Sequence, residues 1–202
     1  MLAEKREKFK KIEKFLAKIF AKLGPSPNQY TLNSVFCAIF SFLFLASKNF
    51  AFALFLFLLA GFFDFIDGAV ARYKNRVTKT GAYLDTICDR YVEGIILLGF
   101  LFLPLPKIFL EPKIWIFLSL FGSLVTTYAK AAAKEKEIVK EELKKGFFGR
   151  AERIILISLA LFLGIFKIDF VIYPLILLAI FSNLTAIQRI YLSLKSSIAF
   201  SK

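Results

Sequence analysis

The chain has 202 residues, 58% of them hydrophobic, and carries a formal net charge of +13 with no histidine. The lack of histidine excludes histidine-based catalysis and histidine metal ligands within this sequence. Soluble domains average about 45–50% apolar residues, and here the excess is gathered in blocks. Such blocks are typical of membrane-spanning helices and argue against a soluble helical protein with a large core, so we predict an all-α integral membrane protein.

The first predicted element, within residues 1–24, is an amphipathic helix. Its apolar residues recur mostly at spacings of three and four, and eight Lys or Arg occupy much of the remaining surface. The pattern suits a helix lying on an anionic membrane surface, and a helix that packs on its own protein fits it equally well. The sequence GPSPN then breaks the helix.

Six apolar runs long enough to cross a bilayer follow this helix. They cover about 30–47, 50–72, 81–103, 110–132, 151–168 and 170–192. The sequence contains no internal repeat and no second domain. We therefore expect a single membrane domain over 1–202, made of a juxtamembrane helix in 1–24 and a bundle of six transmembrane helices in 30–196.

The basic residues predict the orientation of this bundle. The amino-terminal helix, the 72–79 loop, the 130–153 segment and the tail together hold 23 of the 28 Lys and Arg. Because basic residues favour the cytoplasmic side, both termini and the 72–79 loop should face the cytoplasm of a multi-pass protein of the cell membrane. The membrane thus accounts for the positive charge, and no nucleic-acid partner is expected.

Four aspartates stand at the cytoplasmic ends of two consecutive spans. Asp64 and Asp67 are three residues apart at the end of the second span, and Asp85 and Asp89 are four apart at the start of the third. Each spacing places its pair on one helix face, and the short loop makes the two helices antiparallel neighbours. Converging carboxylates repel unless divalent cations cancel their charge, which predicts two Mg²⁺ ions, or Mn²⁺, able to bind a diphosphate.

Other residues of this stretch allow two interpretations. Arg72, Arg76 and Arg90 could hold the aspartates in structural ion pairs, although carboxylates at this depth of a membrane are usually functional. Gly68 and Gly81 could permit close approach of a ligand or of another helix. Arg72 lies about two turns beyond Asp64 and could hold a phosphate group.

The stretch reads D-x-x-D-G-x-x-A-R-x8-G-x3-D-x3-D, with its fixed positions at Asp64, Asp67, Gly68, Ala71, Arg72, Gly81, Asp85 and Asp89. It resembles the signature of the CDP-alcohol phosphotransferases, and the likeness extends over nearly the whole chain. The resemblance implies a homodimer of six-helix subunits that moves a substituted phosphoryl group from a CDP-linked donor to an alcohol and releases CMP. It further implies that the four aspartates bind metal and that Asp89 is also the general base. Asp67, Gly68, Arg72 and Gly81 would bind the CDP donor.

Basic residues near the same membrane boundary predict the acceptor. Lys130 ends the fourth span, Arg150 and Arg153 begin the fifth, and Arg189 lies near the cytoplasmic end of the sixth. Basic side chains beside a metal site favour an acceptor that itself carries phosphate, whereas their alternative role is to anchor the protein at the membrane surface.

The segments GRAER and LTAIQR are similar to those of the branch that uses inositol 1-phosphate, in which these four basic residues would bind the acceptor phosphate. Ala132 departs from that branch, whose members often have Arg there. Heavy use of Phe, Ile and Lys favours a thermophile and hence CDP-archaeol over CDP-diacylglycerol as the lipid donor.

Several alternatives remain open at this point. Within the same reaction class they are a phosphatidylglycerophosphate-type synthase using glycerol 3-phosphate, a serine-using synthase and a di-myo-inositol-phosphate-phosphate synthase. A cation transporter would spread its carboxylates across the membrane depth, whereas here they cluster at one side. A structural membrane scaffold would tolerate replacement of Asp85.

Overall fold

The computed structural model describes residues 2–139 and 146–200, with side chains described for 11–139 and 146–196. Seven α-helices and one short 3₁₀ turn make up the fold, and no β-strand occurs in the described ranges. The helices are α1 (Leu2–Lys22), α2 (Pro27–Ala46), α3 (Phe50–Tyr73), α4 (Lys79–Phe100), α5 (Pro112–Glu135), α6 (Arg150–Phe166) and α7 (Ile172–Phe200), with the turn at Ile168–Val171.

Helix-capping residues lie at the starts of these helices, close to the positions that the apolar runs predicted. Ser26 and Gln29 form a capping box before α2, and Pro27 occupies its first turn. The side chain of Asn49 accepts a hydrogen bond at the start of α3, and that of Thr78 does so at the start of α4. In the connection from α1 to α2, Gly24 adopts a φ of 99°, a conformation that glycine reaches without strain.

Within the described ranges, four helices are long and apolar enough to cross a membrane by themselves. They are α2, α3, α5 and the segment Ile168–Ser196 that contains most of α7. The other two predicted spans differ for identifiable reasons, since α4 carries Asp85, Asp89, Arg90 and Glu93, and α6 is only 17 residues long. Large apolar side chains remain exposed on all six helices, as expected of a protein surrounded by lipid.

Helix α2 occupies a central place because one of its faces is lined with small residues. Ser34, Ala38 and Ser41 are buried along that face, and the Ser41 hydroxyl donates to the Ala53 carbonyl of α3 at 2.7 Å. Close backbone approach of this kind is typical of helix packing in membranes. As a result α2 packs extensively on both α3 and α4, whereas α3 and α4 touch each other only slightly.

The amino-terminal helix both packs on the protein and keeps an apolar exposed face. Leu16 and Phe20 pack against a small cluster formed by α2 and α3, and the Tyr30 hydroxyl donates to the Phe20 carbonyl at 2.9 Å. Ile12, Phe15, Ile19 and Leu23 remain exposed, which leaves an apolar stripe for a membrane surface. The two interpretations of this helix are therefore compatible.

The basic 130–153 segment is described only in part. Its residues Lys140, Lys144 and Lys145 lie outside the described residues.

Candidate functional site

Three of the four carboxylates that the sequence predicts to converge at the ends of α3 and α4 lie close together. One oxygen from each of Asp64, Asp67 and Asp85 lies within 4.8 Å of the others. Three carboxylate oxygens this close together match the ligand chemistry of a hard divalent cation. The backbones of α3 and α4 make few direct contacts, so these carboxylates approach one another where the two helices are otherwise separate.

Asp67 is held in place by a residue that the sequence reasoning missed. The Thr31 hydroxyl of α2 donates to Asp67 Oδ2 at 2.5 Å, and Thr31 and Asp67 are 3% and 6% exposed. This contact fixes the orientation of the Asp67 carboxylate, one oxygen of which belongs to the cluster. The only sequence signal was a polar residue just inside the start of an apolar helix, which by itself is too common to assign a role.

Asp89 lies outside the close group of three oxygens and is paired with Arg150 from the start of α6. The Arg150 guanidinium makes a two-pronged contact with Asp64, at 2.9 and 2.8 Å, and also forms an ion pair with Asp89. A guanidinium is well suited to bridge two carboxylates in this manner. The structure therefore places Arg150, predicted at the acceptor phosphate, directly on two of the predicted metal ligands.

A cavity of about 590 Å³ opens beside the carboxylates. Its lining includes all four residues predicted at the CDP donor, namely Asp67, Gly68, Arg72 and Gly81. Asp85 also lines it, so two carboxylates belong both to the cluster and to the cavity wall. Volumes of this order are common for small-molecule sites.

The two glycines of the cavity leave room for specific neighbours. A methyl group on Gly68 would lie 3.1 Å from Arg72 Nη1, and one on Gly81 would lie 3.0 Å from Thr78 Oγ1. Arg72 in turn forms an ion pair with Glu13 of α1, whose Oε1 is 2.8 Å from Nε and 2.7 Å from Nη2. The amino-terminal helix thus contacts a wall of this cavity directly.

Arg153 and Arg189, two of the other basic residues predicted at the acceptor, bond to different partners. Arg153 is 3% exposed and donates to Glu93 of α4 at 2.7 Å. Arg189 donates to the Thr126 carbonyl at 2.9 Å, and Lys130 lies half-buried near the end of α5. Sequence reasoning missed Glu93, although its spacing of four from Asp89 was a visible signal.

A second cavity, of about 710 Å³, lies around the loop between α2 and α3 and the end of α6. Its lining includes Lys48, Asn49 and Gly164 and contains no carboxylate among the described residues. The larger cavity therefore lacks, among the described residues, the carboxylates that line the smaller one. The site to be considered for metal-dependent chemistry is the one at the carboxylates.

Comparisons with known proteins agree with the chemistry of this site. The family model of CDP-alcohol phosphatidyltransferases matches residues 25–188. The archaetidylinositol phosphate synthase of Pyrococcus horikoshii is 32% identical over 193 residues, which cover 95% of each chain. The bifunctional IPC transferase and DIPP synthase of Aquifex aeolicus is 35% identical over 176 residues, which cover 83% of this chain but only 38% of that relative's length.

Among solved structures, the phosphatidylinositol phosphate synthase of Mycobacterium tuberculosis in complex with manganese and citrate superposes with a TM-score of 0.75. The two chains are 25% identical, and the match covers 90% of this chain and 88% of the other. That structure holds manganese, a cation of the class that carboxylate oxygens bind.

Proposed function

From the premise that this chain belongs to the CDP-alcohol phosphatidyltransferase family, we propose that it transfers a substituted phosphoryl group from a CDP-linked lipid to inositol 1-phosphate and releases CMP. The observation that carries this proposal is that Asp67 and Asp85 belong both to the close carboxylate cluster and to the wall of the 590 Å³ cavity. A ligand in this cavity would touch the carboxylates directly, which suits a diphosphate bound through a divalent cation.

The residues that line the cavity would contribute to binding of the CDP donor in different ways. Arg72 reaches the cavity with a guanidinium suited to the oxygens of a phosphate, and Gly68 leaves the space that this guanidinium needs. Asn28, Thr31 and Thr78 add polar groups to the wall on the side of α2 and the start of α4. Polar groups at a few points of a cavity orient a ligand and give specificity.

Asp64, Asp67, Asp85 and Asp89 would hold two Mg²⁺ ions, or Mn²⁺. When bound, such ions offset the charge of the diphosphate and stabilise the departing CMP phosphate. The three close carboxylates suit one ion, and Asp89 becomes available to a second when Arg150 leaves it. Calorimetric titration of the purified protein with Mn²⁺ tests the number of ions.

Asp89 would accept the proton of the acceptor hydroxyl. The hydroxyl oxygen forms a bond to the lipid-side phosphorus of the donor, and the bond between that phosphorus and the CMP oxygen breaks. The proton passes to Asp89, and CMP leaves with the bonding electron pair. Phosphoryl-type transfer depends mainly on positioning and electrostatics, which carboxylates and guanidiniums held by four helices can provide.

The acceptor assignment rests on the basic residues beside the carboxylates and on the named activities of the relatives. Arg150 and Arg153 stand on the first turn of α6, Lys130 lies near the end of α5, and Arg189 lies in the second half of α7. CDP-archaeol is the donor we favour over CDP-diacylglycerol. A di-myo-inositol-phosphate-phosphate synthase is the second candidate, because the Aquifex relative is named for that activity.

The membrane arrangement proposed for this function is a single domain over 1–202 with α2–α7 as six transmembrane helices, α1 on the cytoplasmic surface, and two such chains forming a homodimer. Within it, α4 and α6 cross the membrane only because neighbouring helices pair their charges, as Arg150 pairs with Asp64 and Arg153 with Glu93. A carboxylate site at the cytoplasmic boundary lets a lipid donor enter from the bilayer and a soluble acceptor enter from water.

Release of CMP in parallel reactions tests the proposed function. Purified protein in proteoliposomes receives Mg²⁺, CDP-archaeol or CDP-diacylglycerol, and one of inositol 1-phosphate, glycerol 3-phosphate, serine or a CDP-linked inositol. We expect the highest rate with inositol 1-phosphate and a CDP-lipid. A product formed only from CDP-inositol and inositol 1-phosphate would favour the second candidate, and cation uptake without CMP release would favour a transporter.

A further inference from the structure

We propose that Glu93 is a positioning residue for the acceptor side of the reaction, because it holds Arg90 and Arg153 with their free N–H groups available to a phosphate. The inference rests on the proposed function only insofar as the acceptor carries a phosphate. It adds two residues, Glu93 and Arg90, to those predicted from the sequence. It also separates their roles, since Arg90 and Arg153 would touch the phosphate whereas Glu93 would act only through them.

Glu93 has the location that this role requires. It follows Asp85 by eight residues and Asp89 by four, so all three carboxylates lie on one face of α4. Glu93 is 6% exposed, and each of its oxygens is occupied. Arg153 Nε donates to Oε1 at 2.7 Å, and Arg90 Nη1 donates to Oε2 at 2.6 Å. A carboxylate with both oxygens used in this way holds two guanidiniums together.

The charges of this group do not balance. Two guanidiniums share one carboxylate, and Arg90 also interacts electrostatically with Arg189 and, with the opposite sign, with Asp89. The excess positive charge is enclosed by helices, where an unpaired charge is costly. A phosphate dianion would compensate it, and the four aspartates nearby cannot do so while they bind cations.

Unused hydrogen-bond donors point to the same ligand. A guanidinium has five N–H donors, yet among the described residues Arg90 and Arg153 each use one nitrogen, and both bond to Glu93. Arg189 uses Nη1, and its buried Nε has no partner within the described residues. Buried donors without acceptors are rare in folded proteins, and among these three arginines Arg189 Nε is such a donor within the described residues. Phosphate oxygens would satisfy it together with the unused N–H groups of Arg90 and Arg153.

The alternative role for Glu93 is purely structural, as a link between α4 and α6. The two roles differ in what a neutral replacement changes. A structural link affects stability and all kinetic constants together, whereas a positioning residue mainly affects the constants for the phosphate-bearing substrate.

Two variants of Glu93 separate these roles. Glu93→Gln keeps the size of the side chain and removes its charge, and Glu93→Asp keeps the charge but shortens the side chain. Glu111→Gln is the matched control, since Glu111 forms an exposed ion pair with Lys107.

The experiment measures CMP release by the full chain in proteoliposomes with Mg²⁺, varying inositol 1-phosphate and the CDP-lipid separately. We expect Glu93→Gln to raise KM for inositol 1-phosphate about tenfold or more, as loss of contacts to a charged group does, with KM for the CDP-lipid within about twofold. Glu93→Asp should lie between this variant and the unmodified protein, and Glu111→Gln should match the unmodified protein.

Two results would overturn the inference. One is an equal change in both KM values, and the other is an acceptor KM that Glu93→Gln leaves unchanged. If Glu93→Gln does not fold, Glu93→Asp decides by the same comparison of KM values. If the unmodified protein prefers glycerol 3-phosphate, the proposed acceptor is wrong, but the role of Glu93 is tested with glycerol 3-phosphate. If only serine is used, both proposals fail.

Discussion

The side chain of Asp67 shows how this protein keeps a carboxylate within a largely apolar helix. The Thr31 hydroxyl donates to Oδ2 at 2.5 Å, and an oxygen of the same carboxylate lies in the cluster with Asp64 and Asp85. The spacing of the aspartates along the chain predicted that these three approach one another, but not that Asp89 would lie outside their close group. Thr31 was not predictable, because its contact joins residues 36 positions apart on two helices.

Replacement of Asp85 by Asn tests whether the cluster binds metal. Asp85→Asn removes one of three closely spaced carboxylates while it preserves the shape of the side chain, so we expect CMP release to fall by about 10²-fold or more. Mn²⁺ binding, measured by calorimetry, should weaken in parallel. Asp169→Asn is the control, because Asp169 forms an exposed pair with Lys167. Full activity of Asp85→Asn would support a scaffold instead.

Replacement of Arg150 by Gln tests whether Arg150 competes with a cation for the carboxylates of Asp64 and Asp89. Arg150 occupies carboxylates of Asp64 and Asp89, so a cation at these oxygens must displace it. We therefore expect Arg150→Gln to bind Mn²⁺ more tightly, by a factor of about three to ten, because four carboxylates then lack a fixed counter-charge. Calorimetric titration measures this change, with Lys113→Gln as the control. Weaker Mn²⁺ binding by Arg150→Gln would contradict the idea.

Among the helices, α1 shows most clearly how a sequence pattern and a tertiary contact combine. Its amphipathic pattern predicted a surface helix, and the structure adds that Leu16 and Phe20 pack on the protein while Phe15 and Leu23 stay exposed. No pattern could indicate that Glu13 contacts Arg72, 59 residues later in the chain. That contact connects the surface helix to the cavity.

Replacement of Glu13 by Gln tests the importance of this connection. Glu13 neutralises a guanidinium that a diphosphate would otherwise bind, so its loss should free Arg72 for the donor. We expect KM for the CDP-lipid to fall by about two- to fivefold, with kcat unchanged, because the pair is partly exposed and its strength is modest. Lys14→Gln alters the charge of the same helix at the adjacent exposed residue and serves as the control. A raised KM would mean that Glu13 orients Arg72 rather than competing for it.

The candidate membrane-spanning helices differ in how well their own amino-acid composition identifies them as spans. The apolar composition of α2, α3, α5 and α7 marks them as candidate spans without further information. In α4, the charged side chains conflict with that assignment until their partners on other helices are known. Arg153 supplies such a partner for Glu93, and Arg150 does so for Asp89.

At the scale of the whole molecule, the asymmetry of Lys and Arg predicts which side of the membrane holds the site. After Cys37 and Cys88 are replaced by Ala, single cysteines are introduced as Lys74→Cys, between α3 and α4, and Lys107→Cys, between α4 and α5. A membrane-impermeant maleimide should label Lys107→Cys in intact cells and Lys74→Cys only after permeabilisation. The reverse labelling would invert the proposed topology.

The sequence by itself determined the helical class, the limits of most helices to within about three residues, and the approach of Asp64, Asp67 and Asp85. It did not show that Asp89 lies outside this close group or that α7 continues to Phe200, beyond the predicted end at 192. The features that it determined depend on neighbours a few residues apart, through apolar composition, helix caps and the three- and four-residue spacing of a helix face. Only the tertiary structure decided which charges pair, as with Arg150 on Asp64, Arg153 on Glu93 and Glu13 on Arg72. Those pairs depend on how helices pack side by side, with α2 between α3 and α4, and that packing joins residues far apart in the chain.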